Sequence, residues 1–151
     1  MKRRFMPAVF LLILLMLVCG CASQPKDSSD PASKEPELYS VADNISLKTG
    51  TEFDGETVLE YADFTGFSYK YDEERQNYTF NFKLTDEGRA KMAEATKNSA
   101  EEPCDLSLWI GEELITSPRV MEPITGDEFA LNMADVDKDN ISDVVDRLRG
   151  K

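Results

Sequence analysis

Two runs of alternating apolar and polar residues constrain the fold of this chain more than any other feature. The apolar positions lie two apart in both runs: Phe67, Tyr69 and Tyr71 in the first, and Tyr78, Phe80, Phe82 and Leu84 in the second. A period of two is typical of strands that bury one face. The polar stretch from 72 to 77 separates the runs and has the composition of a hairpin loop. The sequence therefore predicts an antiparallel hairpin with an aromatic buried face.

A second hairpin is predicted from residues 104 to 115. Its first arm carries apolar residues at alternate positions: Cys104, Leu106, Leu108 and Ile110. Gly111 and Glu112 follow, and glycine in the first place of a two-residue loop favours a type II′ turn. Pro118 has no N–H to donate, so we expect it to stop the pairing of the returning arm. A last strand is predicted from three further alternating apolar residues, Phe129, Leu131 and Met133.

The segment from 117 to 126 holds two prolines, Pro118 and Pro123, around Val120 and Met121. We expect the prolines to end pairing on both sides of a short extended segment, with Val120 turned inward. Prolines also protect a strand edge against aggregation. The segment is interpreted mainly as architecture, and a binding lip is the alternative.

Two helices are predicted in addition to the strands. The first covers residues 84 to 98, where Thr85 suits the N-cap position. Gly88 in its first turn lowers helix propensity, so close packing is expected there. The second lies at the C-terminus and has Asp137 as its predicted N-cap. Its apolar residues recur at helical spacing: Ile141, Val144, Val145 and Leu148.

These elements predict an α+β fold with a mainly antiparallel sheet and two helices packed against it. The folded domain is assigned to residues 38–151, a length ordinary for one domain. A signal peptide and a disordered linker are expected to precede it. The linker, residues 22–37, is rich in serine and proline and contains no aromatic residue.

The N-terminus has the organisation of an export signal. Lys2, Arg3 and Arg4 precede an apolar run from Ala8 to Cys19. These 12 residues are too few for a bilayer span, which needs roughly 20. The run is therefore interpreted as the apolar core of a signal peptide.

A glycine followed by a cysteine after this run, Gly20-Cys21, resembles the lipobox of bacterial lipoproteins. The resemblance implies cleavage between Gly20 and Cys21 and acylation of the Cys21 thiol. Residues 1–20 are then the signal peptide, and residues 21–37 are the lipidated cysteine and its linker. Cys19 is a poorer candidate because bulky Val18 precedes it. An ordinary secretory signal, with release of the protein, is the alternative.

The predicted anchor places the mature protein on the outer face of a bacterial membrane, either the cell membrane or the outer membrane. Two or more acyl chains would make the anchoring stable. The membrane is therefore one expected partner. If Cys21 is acylated, Cys104 has no cysteine partner in the mature chain, and it is interpreted as a small buried hydrophobe.

Charge and composition exclude several classes of function. The chain has 17 basic and 29 acidic residues, and three of the basic residues precede Cys21. The mature chain would keep 14 basic and 29 acidic residues, a net charge of −15, which repels nucleic acid. There is no histidine, the commonest general base and metal ligand. We therefore expect no enzyme activity, no cofactor and no nucleic-acid partner.

One acidic segment partly matches the calcium loop of an EF-hand. Its acids fall at loop positions 1, 3, 5 and 9: Asp135, Asp137, Asp139 and Asp143. Asn140 replaces the glycine of the sharp turn, and Asp146 stands where a bidentate glutamate is usual. We therefore prefer to interpret these acids as helix-capping residues, and calcium binding is kept as the alternative.

Several short motifs in the second half of the chain resemble, in combination and order, the head subdomain of the first extracytoplasmic region of SecD and SecDF. They cover about half of the chain, from residue 80 to 150: Leu84-Thr85-Asp86-Glu87-Gly88, Ala93-Glu94-Ala95-Thr96, Ile115-Thr116-Ser117-Pro118, Glu122-Pro123-Ile124-Thr125-Gly126 and Leu148-Arg149-Gly150. The sequence departs from the family at Gly111-Glu112, where Asp-Gly is usual, and at Asp127, where a second glycine is common.

The resemblance implies the fold of the head subdomain and contact with polypeptide outside the membrane. The sequence has no counterpart of the family's transmembrane helices, so proton-coupled translocation is not implied. We therefore expect a non-catalytic lipoprotein that binds an exported polypeptide or an envelope protein through a sheet edge or groove. The alternative is a structural or ligand-binding surface lipoprotein, with calcium as one ligand and no role in secretion.

Overall fold

The computed structural model describes residues 36–151, which form eight strands and two α-helices. The strands are β1 (Ile45–Thr49), β2 (Thr57–Glu60), β3 (Phe64–Asp72), β4 (Asn77–Leu84), β5 (Cys104–Ile110), β6 (Glu113–Thr116), β7 (Arg119–Val120) and β8 (Glu128–Met133). The helices are α1 (Asp86–Thr96) and α2 (Ile141–Leu148), and a 3₁₀ turn, Tyr61–Asp63, precedes β3. None of the helices in this range is long and apolar enough to cross a bilayer.

The strands form two antiparallel sheets, which confirms the predicted α+β class. One sheet has the order β2-β1-β5-β6, with β7 also paired to β5, and the other has the order β3-β4-β8. The sequence predicts one sheet, and the structure divides its strands between two. Strands β1 and β2 were not predicted.

The core lies between the inner faces of the two sheets. Its most deeply buried side chains come from both: Leu47, Leu59, Phe67, Phe80, Phe82, Leu106 and Leu108. The β3–β4 hairpin is confirmed, since Phe67 pairs with Phe82 and the strands are joined at the predicted loop. The ring of Phe82 stacks on Phe129 of β8 with centroids 5.4 Å apart. Aromatic packing on this face therefore joins all three strands of the second sheet.

The β5–β6 hairpin is also confirmed. Ile110 pairs with Glu113, which leaves Gly111 and Glu112 as the two-residue loop. Gly111 has φ +60° and Glu112 does not have a positive φ. A type I′ turn needs positive φ at both positions, whereas type II′ needs it only at the first, as predicted here.

The prediction for Pro118 is only partly right. Strand β6 ends at Thr116, before the proline, but pairing with β5 resumes immediately afterwards in β7. The carbonyl oxygen of Pro118 accepts a hydrogen bond of 3.0 Å from the Leu106 N–H. Proline lacks a donor but keeps its acceptor, so it interrupts this edge of the sheet without ending it.

Helix α1 begins as predicted. The Thr85 hydroxyl accepts a 3.0 Å hydrogen bond from the Gly88 N–H, which caps the helix. Gly88 packs against the 3₁₀ turn: a Cβ there would lie 2.9 Å from the Cβ of Asp63 and closer still to its carbonyl oxygen. The close packing predicted at Gly88 is therefore confirmed.

Helix α2 begins later than predicted. The Asp137 carboxylate accepts hydrogen bonds from the backbone N–H groups of Asp139 and Asn140, at 2.9 and 3.1 Å. It therefore caps a turn in front of the helix, and Asn140 occupies the N-cap position of α2. The assignment of Asp137 as the helix N-cap is wrong because its carboxylate accepts hydrogen bonds from this local turn and not from the first turn of α2. The apolar stripe is right, with Val145 and Leu148 buried.

Candidate polypeptide-binding groove

A groove lies between the open edges of the two sheets. On one side are β6 and β7, which pair only with β5 among the described residues. On the other side is β8, which pairs only with β4 over the same part of the chain. Open edges present unpaired backbone N–H and C=O groups, so such a groove has both apolar and hydrogen-bonding character.

One end of the groove is an apolar cavity of about 160 Å³. Its floor is the buried core, including Leu47, Met92 and Leu106. Its walls come from the segment after β6 and from β8: Pro118, Val120, Ile124, Phe129 and Leu131. This cavity connects the hydrophobic core to the protein surface.

The other end is a cavity of about 230 Å³ with mixed lining. Leu114 of β6, Met133 of β8 and Val144 of α2 supply its apolar surface. Asp135 and Arg147 supply charge, and Arg147 also forms an ion pair with Glu113. Leu114 is 43% exposed, which is unusual for a leucine in a strand.

The two-proline segment forms a wall of the apolar cavity. The Thr96 hydroxyl, at the end of α1, accepts a 2.9 Å hydrogen bond from the Ile124 N–H and donates one of 2.8 Å to the Met92 carbonyl. Val120 is half-buried against the core, as predicted, while Met121 is 65% exposed. The two-proline segment therefore has a structural role and also supplies an exposed apolar rim.

A second concave surface, of about 660 Å³, surrounds the pair formed by Asp63 and Lys91. The Lys91 Nζ donates to both carboxylate oxygens of buried Asp63, at 2.8 and 3.1 Å. The hydrogen bond to Asp63 raises the pKa of Lys91, and the negative charge of Glu87 raises it further. The Glu60 N–H donates to the same carboxylate at 2.9 Å. Asp63 is thus engaged within the fold, and the pair joins α1 to the 3₁₀ turn.

Tyr39 fixes the start of the described chain to the second sheet. Its N–H and C=O exchange hydrogen bonds with Phe67 at 2.7 and 2.8 Å. Its hydroxyl donates to Glu37 at 2.8 Å, and this hydrogen bond, with partial burial and Tyr69 nearby, raises the pKa of Tyr39 to about 12. The Arg149 guanidinium lies 5.0 Å from the centre of the Tyr39 ring.

The predicted site residues fall into two groups. Gly20 and Cys21 lie outside the described residues, so cleavage and lipidation remain predictions. Cys104 is a free thiol and is half-buried opposite Val120. Sequence reasoning expected a sheet edge or groove but did not locate it, because no motif marks which strand edges stay open.

The four acids of the calcium alternative are close in sequence, but their roles differ. Asp137 caps the turn before α2, and Asp143 lies in the first turn of α2. Within residues 36–151, no three acidic or cysteine side chains are arranged so that they could hold a metal ion. Calcium binding by these four acids stays a prediction.

Two antiparallel sheets around one core, with two helices and open edges on either side of a groove, define the protein as a small α+β domain. The family model of the SecDF P1 head subdomain matches residues 38–144, and the chain belongs to that family. The match includes strands β1 and β2 and the motifs from Leu84 to Gly126, and the Leu148-Arg149-Gly150 motif lies just beyond it.

Two solved structures share the fold. One, reported as "Structure and function of a membrane component SecDF that enhances protein export", is 15% identical with a TM-score of 0.52, and the match covers 78% of this chain and 79% of that one. Another, reported as "Crystal structure of SecDF in Super-membrane-facing form", is 18% identical with a TM-score of 0.51, over 70% of this chain and 18% of that one. No protein of curated function matches the chain.

Proposed function

We propose that this protein is a membrane-anchored extracytoplasmic lipoprotein whose SecDF-head domain contacts polypeptides during protein export. The family match over residues 38–144 carries the proposal. The fold's open-edged groove supports it, because an unfolded chain offers apolar side chains that can fill the cavity and backbone groups that can pair with the open strand edges. We assign the domain no catalytic role and no cofactor.

The anchor is the second part of the proposal. Residues 1–20 act as a signal peptide, Cys21 carries the acyl chains, and residues 21–37 hold the domain away from the bilayer. Sixteen linker residues would span on the order of 20–24 Å in root-mean-square terms. The domain, residues 38–151, would then meet a chain that emerges on the outer face of a bacterial membrane. An envelope protein is the other class of polypeptide partner, and nucleic acid is not a partner.

Mass spectrometry of the protein purified from membranes tests the anchor. We expect the mature chain to start at Cys21 with acyl chains on its thiol, and Cys21→Ala to abolish both cleavage at this site and membrane retention. Cys19→Ala is the matched control and should leave both unchanged. A chain that starts elsewhere, or an unmodified Cys21, would overturn the anchor.

Photo-crosslinking in intact cells tests the contact with exported chains. A photoreactive amino acid replaces Met121, the exposed residue on the rim of the groove. The control position is Asp54, which is exposed in the loop between β1 and β2 and lines neither cavity of the groove. We expect adducts with exported polypeptides, identified by mass spectrometry, from position 121 and far fewer from position 54.

The alternative function is a structural or ligand-binding lipoprotein unconnected to secretion. Equal and sparse adducts from both positions, together with heat released on adding millimolar calcium to calcium-free protein, would favour it. No heat on that addition removes calcium as the ligand.

A further inference from the structure

The open edge of β8 has a fixed pattern of hydrogen-bonding groups. The Leu84 N–H donates to the Asp127 carbonyl at 2.7 Å, in line with the β4–β8 register. Hydrogen-bonded pairs recur at every second residue of an antiparallel ladder. The backbone groups that face β4 therefore belong to Phe129, Leu131 and Met133, and those that face away belong to Glu128, Ala130 and Asn132.

The outward groups of β8 are unpaired in the described part of the chain. No backbone or side-chain hydrogen bond within residues 36–151 reaches the N–H or C=O of Glu128, Ala130 or Asn132 from the open side. All three side chains are exposed. The edge thus resembles the edge to which an extended chain adds as a further strand.

The cavities of the groove match the repeat of such a strand. Leu131 lines the apolar cavity and Met133 lines the mixed one. These residues are two apart, which corresponds to about 6.8 Å along a strand. Side chains on one face of an added strand have the same spacing. Alternate side chains of the added strand would therefore reach one cavity after the other.

The apolar cavity has the size and lining for one apolar group. At about 160 Å³ it is open to solvent but surrounded by the side chains of Val120, Ile124 and Leu131. An apolar cavity of about 150 Å³ accepts a benzene-sized group. An aliphatic side chain of the added strand would bury apolar surface there, at about 25 cal/mol for each Å² removed from water.

Charge around the edge favours a basic partner. The side chains of Asp127 and Glu128 are exposed at one end of β8, and Asp135 is exposed just beyond the other end. These three acids take part in no ion pair within residues 36–151. The two arginines that line the cavities, Arg119 and Arg147, are each paired with an acid. A second copy of this chain, with 29 acidic and 17 basic residues, would bring more negative charge to this edge. The chain's own linker, residues 22–37, lacks large apolar residues.

We propose that the β8 edge binds an extended polypeptide segment in which apolar residues alternate with lysine or arginine, by strand addition. This proposal rests on the proposed function and names the substrate class of the groove. The segment's backbone pairs with Glu128, Ala130 and Asn132. Its apolar side chains enter the two cavities, and its basic side chains lie on the outer face beside Glu128.

Amide hydrogen exchange of the full chain in detergent micelles gives a direct test. The probe is a capped ten-residue peptide in which valine and lysine alternate. At saturating peptide we expect exchange at the amides of Glu128, Ala130 and Asn132 to slow by about tenfold or more. The amides of Phe129 and Leu131, already bonded to β4, should change much less. Unchanged exchange on β8, or slowing at another edge instead, overturns the proposal.

Two N-methylated peptides separate strand addition from simple hydrophobic capture. One carries methyl groups on the valine amides only, and the other on the lysine amides only. Successive residues of a strand direct their N–H groups to opposite edges. We therefore expect one of these peptides to bind like the parent and the other to fail. Equal binding by both would overturn the proposal.

Two protein variants complete the test. Ala130→Pro removes an outward N–H and spares the bonds to β4, so it should abolish peptide binding while circular dichroism reports a folded protein. Glu128→Lys should weaken binding by about two- to fivefold at low salt. Asp54→Lys makes the same charge change in the β1–β2 loop and should leave the affinity unchanged. If Ala130→Pro does not fold, the comparison of the two N-methylated peptides still tests strand addition.

The outcomes also distinguish this proposal from the proposed function. Crosslinks to exported chains in cells without slowed exchange on β8 would overturn strand addition alone. Slowed exchange on β8 without crosslinks in cells would support strand addition and overturn the role in export.

Discussion

The Lys91 ammonium lies 2.8 Å from a carboxylate oxygen of Asp63, although the two residues are 28 positions apart in sequence. The Asp63 side chain is only 4% exposed, and that of Lys91 is 44% exposed. The pair therefore ties the exposed face of α1 to a buried acid in front of β3. Because a buried carboxylate without its cation is costly, this contact has consequences for stability.

We expect Lys91→Met to lower the free energy of unfolding by more than the loss of an exposed ion pair would, since Asp63 would lose its charged donor while it stays buried. Lys97→Met in the same helix is the control, because its partner Glu94 is exposed. The control should cost less than about 1 kcal/mol. Urea unfolding measures both free energies. Equal losses would show that the ion pair with Asp63 contributes no more stability than the exposed pair of Lys97 and Glu94.

The stabilising effect of Lys91 should disappear at alkaline pH. The folded state raises the pKa of Lys91 above its ordinary value of 10.5. A raised folded-state pKa contributes stability that is fully present below the unfolded pKa and is lost as pH rises through the folded one. The difference in unfolding free energy between the natural protein and Lys91→Met should thus stay constant from neutral pH to near 10.5 and shrink above it. A difference that grows with pH would contradict this assignment.

Gly88→Ala should destabilise the protein although alanine is the better helix former. The propensity gain is about 1 kcal/mol, but the new Cβ would overlap the backbone of Asp63. Thermal unfolding should show a net loss of about 1–3 kcal/mol. Ala90→Gly, at an exposed position of the same helix, should cost about 1 kcal/mol for propensity alone. A more stable Gly88→Ala variant would refute the close contact.

Thr96→Val tests the support of the groove wall. The variant leaves the Ile124 N–H and the Met92 carbonyl without their hydroxyl partner, at a position with 0% exposure. We expect a loss of about 1–3 kcal/mol in urea unfolding. We also expect faster amide exchange at Ile124. Thr65→Val, at an exposed strand position, should change stability by less than about 0.5 kcal/mol.

Tyr39 should be visible in a spectrophotometric titration at 295 nm. The protein has five tyrosines, and one component should titrate at about 12, where the folded state places the pKa of Tyr39. Tyr39→Phe should remove this component. Glu37→Gln should move it towards the ordinary value of 10.0, because the hydrogen bond to Glu37 is the main cause of the shift. No change in the curve of Tyr39→Phe would contradict the assignment.

Periodic segments were predicted well from the sequence, whereas the short strands β1 and β2 were missed. The aromatic alternation around Phe80 identified β4, and the apolar stripe around Val145 identified α2. In both elements the apolar residue recurs several times, so the period stands out from chance. Strands β1 and β2 have only five and four residues, too few for a period to stand out from chance. Leu59 of β2 is nevertheless fully buried.

Local competition explains the errors at element ends. Asp137 suits a helix N-cap, but its carboxylate bonds to the turn at Asp139 and Asn140. Pro118 lacks a donor, but its carbonyl continues the edge by accepting from Leu106. In both cases the residue type was interpreted correctly, and the neighbouring backbone decided which group it bonded.

By itself, the sequence determined the alternating strands, the glycine turn at Gly111, the cap at Thr85 and the acidic charge, because these depend on residues close together in the chain. Only the tertiary structure decided that the strands divide into two sheets, that Lys91 reaches Asp63, and that β8 keeps an open edge beside a cavity. Which strands pair, and which edges stay unpaired, depends on contacts between distant residues that no local pattern encodes.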